Sequence, residues 1–299
     1  MKNWLITGCL CIAISLAISG QQVADSAFTL TIERPSYKFG TGPVVMIDEW
    51  HQNFHTAGGR YAPFARVLQA DGFRILPSNA AFSEKALQSG KILVISNALH
   101  ASNVGNWTLP TPSAFTKEEI KSVQDWIKNG GALFLIADHM PFAGAAQELA
   151  QSFGFKFLNC FANDNRSRAV ERFYKGNGTL AANELTQGID TLVTFTGSAF
   201  KAPKRAKPLL ILKNYTLAMP ITAWQFEENT PVKPSEGYLQ GAYMHYGKGR
   251  IVVMGEAAMF SAQLSGPNRN RIGMNSAEAR QNAPFLLNLI RWLDGQNPK

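Results

Sequence analysis

Acidic and imidazole side chains stand behind short apolar runs at several points of the 299-residue sequence. Val44 to Ile47 leads into Asp48, Glu49, His51 and His55; Ile92 to Ser96 leads to His100; Ala132 to Ala137 leads into Asp138 and His139; Arg250 to Met254 is followed by Glu256. Imidazoles and carboxylates converging in one crevice suit a divalent metal such as zinc, which takes three protein ligands and leaves one position for water. On that reading His51, His100, Asp138 and His139 are candidate ligands, and metal-bound water is the nucleophile with Glu49 as general base. Asp48, Glu49, His51 and His139 are then the candidate catalytic set, and His55, Arg60, His100 and Glu256 the candidate ligand-binding set. The expected reaction is metal-assisted hydrolysis of an envelope glycan or amide, the alternative being a non-catalytic ligand-binding or assembly module of the cell envelope. Two other readings stay open: a metal-free site for a polar ligand, and plain structural roles. Asp48 and Asp138 are residue types that cap turns, and His51 and His55 that bond to loop backbone. The Asp-x-x-His-x-x-x-His spacing is not the helical zinc-protease pattern, whose glutamate lies between its histidines.

The elements that must position these residues follow from periodicity. Val44 to Asp48, Phe73 to Leu76, Ile92 to Ser96 and Ala132 to Ala137 read as buried strands. Between them, Ala62 to Ala70 places Phe64, Val67 and Leu68 on one helical face, and Ser83 caps a brief helix to Gln88. Thr116-Lys117-Glu118-Glu119 is a capping box opening a helix with Ile120, Val123 and Ile127 on one side. Apolar strands alternating with helices imply a parallel sheet covered on both faces. Right-handed crossovers bring the strands' carboxyl ends to one edge, where ligands of open α/β sheets bind. Beyond Phe153 the pattern loosens. A fifth strand at Phe155 to Leu158, a short helix around 169–174, strands at Thr191 to Phe195 and Leu209 to Leu212, and a hairpin across Gly247-Lys248-Gly249 are expected, with a last helix over 277–293.

The formal charge of +8 is spread widely apart from Lys201, Lys204, Arg205 and Lys207. No helix or loop combines a basic stripe with aromatics, so nucleic acid is not the expected partner. A small-molecule or glycan ligand and an envelope protein are the partners considered. Lys2, the apolar Leu5 to Ile18, and small Ala17, Ser19 and Gly20 read as a signal peptide ending near residue 22, which implies export to a periplasmic or extracellular setting, an uncleaved N-terminal anchor being the alternative. No later stretch is long and apolar enough to span a bilayer. Cys9 and Cys11 lie in that segment, leaving Cys160 without a disulfide partner. No repeat or low-complexity linker divides residues 23–299, which are expected to form a single domain.

Gly130-Gly131-Ala132-Leu133-Phe134-Leu135-Ile136-Ala137-Asp138, Gly247-Lys248-Gly249-Arg250-Ile251-Val252-Val253-Met254-Gly255-Glu256, and Asn282 to Gly295 resemble, in order, the class I glutamine amidotransferase-like superfamily. With Asp48 to His55 and Gly59-Arg60-Tyr61, the likeness extends to its exported bacterial branch of unknown function, related to domains of gliding-motility transport proteins. The resemblance implies a flavodoxin-like α/β sandwich with a mainly parallel sheet, helices on both faces and a late antiparallel hairpin. It does not imply glutamine hydrolysis. Cys160 lies in Leu158-Asn159-Cys160-Phe161-Ala162, without the small residues that a nucleophile elbow needs. A buried structural thiol is the expectation there.

Overall fold

The structure is a computed structural model that describes residues 22–166 and 170–296. The targeting segment expected at the start lies outside the described residues. The main sheet contains β1 (Val44–Asp48), β2 (Arg74–Ser78), β3 (Ile92–Ser96), β4 (Ala132–Ile136), β5 (Lys156–Leu158), β6 (Ala199–Lys201), β7 (Lys207–Ile211), β8 (Leu239–Tyr246) and β9 (Gly249–Met254). Its order is β2-β1-β3-β4-β9-β8-β6-β5, with β7 also paired to β8. β1, β2, β3, β4 and β9 run parallel. Successive residues of the four central strands enter opposite cores. Val45, Ile47, Val94, Phe134, Ile136 and Val252 join one cluster, while Met46, Leu93, Leu135 and Val253 join the other. Burial on both faces explains why these strands are almost wholly apolar. Pro77 lies in β2, an edge strand where the missing donor costs no ladder bond.

The first core is covered by α1 (Ala62–Ala70) and by α2 (Asn282–Asp294), the last helix, through Phe64, Leu68, Phe285, Leu286 and Leu289. The second receives Ile120, Val123 and Ile127 of the helix Lys117–Lys128. That helix opens on the expected capping box: the Thr116 hydroxyl accepts from the Glu119 amide at 3.2 Å, and the Glu119 carboxylate accepts from the Thr116 amide at 2.9 Å. The last helix begins at Asn282, later than its apolar pattern suggested, and is pinned by Arg291. The guanidinium of Arg291 donates to both oxygens of the fully buried Asp71 at 2.6 and 2.9 Å.

The expectation of a flavodoxin-like sandwich does not hold. Among the described residues, four of the eight pairings in the main sheet are antiparallel, and three further sheets are built only from antiparallel pairs. Among the described residues no α-helix lies between Ser152 and Asn282, so the crossover helices that parallel neighbours require are missing there and most of these strands pair antiparallel. The segment expected as a helix around 169–174 is, in its described part, the strand Glu171–Tyr174, paired with Thr191–Thr194. The late hairpin forms with β8 and β9, and β9 continues the parallel series beside β4. Among the described residues no helix is long and apolar enough to cross a membrane.

Candidate functional site

Because β1, β3, β4 and β9 run parallel, the residues that follow them share one edge. There the loops are cross-tied. Asn97 accepts from the Asp138 amide through its side chain at 2.9 Å and from the Phe54 amide through its carbonyl at 2.9 Å. The Ser198 hydroxyl donates to the Ala137 carbonyl at 2.7 Å. A cleft of about 420 Å³ opens at this edge, with Phe54, Trp107, Phe142 and Trp224 as its aromatic wall and Arg60, Asn97, Asp138, His139 and Thr196 among its polar groups. An adjoining groove of about 510 Å³ shares Phe54, Arg60 and Trp107 with it.

The two histidines four residues apart part company. His51 turns into the second core, against the stacked rings of Phe82 and Phe115 at centroid distances of 4.5 and 4.6 Å. Its Nδ1 meets Asp48 at 2.9 Å and its Nε2 meets Glu119 at 3.0 Å. Burial alone would push this imidazole down, but the hydrogen bonds and charges of Asp48, then of Glu119, hold it above its ordinary value. Both ring nitrogens therefore donate to carboxylates, and neither has a lone pair for a metal. His55 lies on the other side, 4.5 Å from the Tyr61 ring, with Nδ1 3.3 Å from the Ser96 hydroxyl. Burial, then the charge of Arg60, lowers it to about 3, so it is a neutral ring in the cleft wall.

His139 is the imidazole presented to the cleft. Its ring stacks on Phe161 at 4.4 Å and meets Trp224 edge-on at 4.7 Å. Nδ1 donates to the Met140 carbonyl at 2.7 Å, which assigns the lone pair to Nε2. Asp138 accepts from the His139 amide at 2.7 Å and lies within the field of two further buried acids. Glu256, fully buried, accepts from the Ala258 and Met259 amides at 2.9 and 2.7 Å. Its pKa is held well above the ordinary carboxylate range by burial and then by the charge of Asp138. Glu171 is raised to about 8, first by burial and then by Asp164 and Asp138, against the opposing hydrogen bond from Thr194.

A raised carboxyl stabilises the fold while protonated. That contribution is fully present below the ordinary value of 4.5 and is lost as pH rises through about 8. Glu171→Gln, which keeps the shape without the charge, is therefore expected to gain stability over the natural chain between pH 5 and pH 9. The gain should be on the order of a few kcal/mol, read from denaturant melts at the two pH values.

The candidate residues thus divide. His55, Arg60, Asp138 and His139 meet in the cleft. Asp48 and His51 belong to the buried Asp48–His51–Glu119 chain. Glu49 accepts from the Ala57 amide at 2.7 Å and so closes its own loop. His100 caps a short turn, its Nδ1 accepting from the Ser102 amide at 3.2 Å. Glu256 caps the turn behind the cleft wall. His51, His100, Asp138 and His139 are not gathered as a ligand set, and among the described residues no three His, Cys, Asp or Glu side chains are placed to hold a metal. Cys160 is buried, and burial pushes its thiol up to about 12, out of the range of a nucleophile near neutral pH.

Trp107, Trp224, Phe142 and Thr196 were not among the sequence candidates. Both tryptophans lie in loops, where no periodicity marks them. A structural sign marks one of them: of five described non-glycine residues with positive φ, Gln52, Asn97 and Trp224, at 50°, 52° and 67°, line the cleft or the groove, while Asn214 and Arg269 lie elsewhere. A bulky residue in the left-handed region is strained, and such strain clusters at sites that need a fixed geometry.

No family profile and no curated protein matches the sequence. Among solved structures, the mmIFT52 N-terminal domain superposes with a TM-score of 0.56 at 13% identity, over 84% of this chain and 96% of that one. A putative ThuA-like protein from Bacteroides uniformis matches at 0.49 and 14%, over 90% and 98%. A cytoplasmic protein from Salmonella typhimurium matches at 0.47 and 15%, over 86% and 100%. The likeness that carries weight is to the mmIFT52 N-terminal domain, not to the glutamine amidotransferase-like and flavodoxin-like proteins expected. At such identities, what the chain shares with the mmIFT52 domain is a fold.

Proposed function

We propose that the chain binds a small hydroxylated ligand of carbohydrate type in the cleft at the carboxyl ends of β1, β3, β4 and β9. The observation that carries this reading is the pairing of two indoles, Trp224 exposed and Trp107 half-buried, with a short polar row. Trp107 and Trp224 face a cleft that also presents Asn97, Asp138, His139 and Thr196. A sugar ring has an apolar C–H face that packs on an aromatic plane and hydroxyls that need carboxylate, amide or imidazole partners. A volume of about 420 Å³ suits one such ring, and a few convergent polar groups among aromatics is the usual make-up of a small-molecule site. An exported setting, supported by Lys2 and the apolar Leu5 to Ile18, fits an envelope glycan as the source.

The test is calorimetric titration of glucose, galactose, mannose, N-acetylglucosamine and glucuronate into the natural chain and into Trp107→Ala and Asp138→Ala. Saturable binding of at least one sugar is expected. Removal of the indole face or of a charged hydrogen-bond partner should weaken it roughly tenfold or more. Absence of binding across the panel, or binding indifferent to both variants, overturns the proposal.

One observation favours hydrolysis in the same cleft: Asp138 lies among buried carboxyls that hold their protons, a setting in which acid and base roles separate. On that second reading Asp138 draws a proton from a water in the cleft, the water oxygen bonds to the anomeric carbon as the glycosidic C–O bond breaks, and the leaving oxygen takes its proton from solvent. Asp138→Asn would then abolish turnover of nitrophenyl glycosides. A natural chain that binds sugars but turns none over excludes it.

A further inference from the structure

We propose that the ligand is an acidic sugar, a hydroxylated ring whose carboxylate is taken by Arg60 while its hydroxyls face Asp138. The inference rests on the reading of the cleft as a carbohydrate site and narrows it to one class.

Arg60 occupies the boundary between the cleft and the groove and lines both. Its guanidinium lies on the ring of Phe54, 3.9 Å from the centroid, and Phe54 is braced edge-on by Trp107 at 5.5 Å. The side chain is thereby held flat, which leaves the donor fork free to meet a planar anion. Nothing in the fold takes that role. Among the described residues Arg60 forms no ion pair, and its buried Nε has no hydrogen-bond partner. Other arginines do find carboxylates, whereas the buried Nε atoms of Arg66 and Arg250 are without a partner, as that of Arg60 is. Arg291 meets Asp71 through two bonds, and Arg166 meets Asp164 through two, at 2.7 and 2.8 Å. The neighbouring His55 adds no charge, since burial and Arg60 together keep it neutral.

The cleft is therefore polarised, cationic at Arg60 and acidic at Asp138, and Trp107 packs against both Phe54 and His139 on its wall. An unpaired, partly desolvated guanidinium favours a carboxylate through charge-assisted, bidentate bonds. A neutral sugar would leave those donors without a partner, which costs affinity.

The experiment compares D-glucuronate with D-glucose, and D-galacturonate with D-galactose, by calorimetry at low and moderate salt. In the natural chain each acid is expected to bind roughly 10- to 100-fold more tightly than its neutral counterpart, the range for a hydrogen bond to a charged group. The ratio should fall to near one in Arg60→Gln and to an intermediate value in Arg60→Lys, which keeps the charge but not the fork. Thermal melts of both variants check folding. Equal binding of acid and neutral sugars by the natural chain overturns this inference and leaves the carbohydrate reading intact. A preference that survives in Arg60→Gln also overturns it. Absence of binding by all four sugars overturns both.

Discussion

His51→Ala is expected to destabilise the fold by roughly 3–5 kcal/mol, the cost of stranding buried charges that had shared a partner. Asp48 is fully buried and Glu119 nearly so, and His51 lies between them at 2.9 and 3.0 Å. The same substitution empties the space beside the stacked rings of Phe82 and Phe115, adding a cavity cost to the electrostatic one. The sign with pH follows from the raised imidazole. Its contribution is fully present below its ordinary value of 6.5 and is lost as pH rises through the higher value of the fold. The penalty of His51→Ala should therefore be larger at pH 6 than at pH 9, by denaturant melts at both. A constant or rising penalty would show that the ring acts by packing alone.

Arg291→Ala is expected to cost a similar amount, roughly 3–5 kcal/mol, for the same reason at a different joint. Arg291 ties the last helix to Asp71 at the end of α1, and also donates to the Ser36 hydroxyl at 2.9 Å, so that three distant segments meet on one guanidinium. Its loss leaves a fully buried carboxylate with only the Ser36 amide and hydroxyl as compensation, at 2.8 and 3.0 Å. Replacing both partners by apolar residues, Asp71→Leu with Arg291→Met, should recover much of the loss, because no charge is then left unpaired. Denaturant melts of the single and double variants measure the coupling. Additive losses would mean that the pair is not the unit.

The parallel half of the fold was legible because its signals are local. Ile92–Ser96 and Ala132–Ile136 are apolar at every position but the Ser96 terminus, and Thr116 with Glu119 forms a capping box within one helical turn. The second half was not. Glu171–Tyr174 and Thr191–Thr194 are four-residue strands whose pairing depends on each other across a loop, which no window of sequence contains.

The site divided in the same way. That polar residues gather at the carboxyl edge followed from strand direction. Which of them face the cleft depended on backbone turns such as Gln52, whose φ of 50° separates His51 from His55 and sends the two imidazoles to opposite sides of the sheet. Glu119 shows the limit well. Its capping role was readable three residues away, whereas its bond to His51 spans 68 residues.

The most direct measurement uses the tryptophans as reporters. In a ¹⁵N spectrum titrated with D-glucose and then with D-glucuronate, the indole N–H signals of Trp107 and Trp224 should shift saturably. The indoles of Trp126, which lines a separate cavity at the opposite end of the strands, and of the buried Trp292 should stay in place. Shifts confined to Trp126, or no shift at Trp107 and Trp224 with either sugar, would contradict a carbohydrate site at the carboxyl edge.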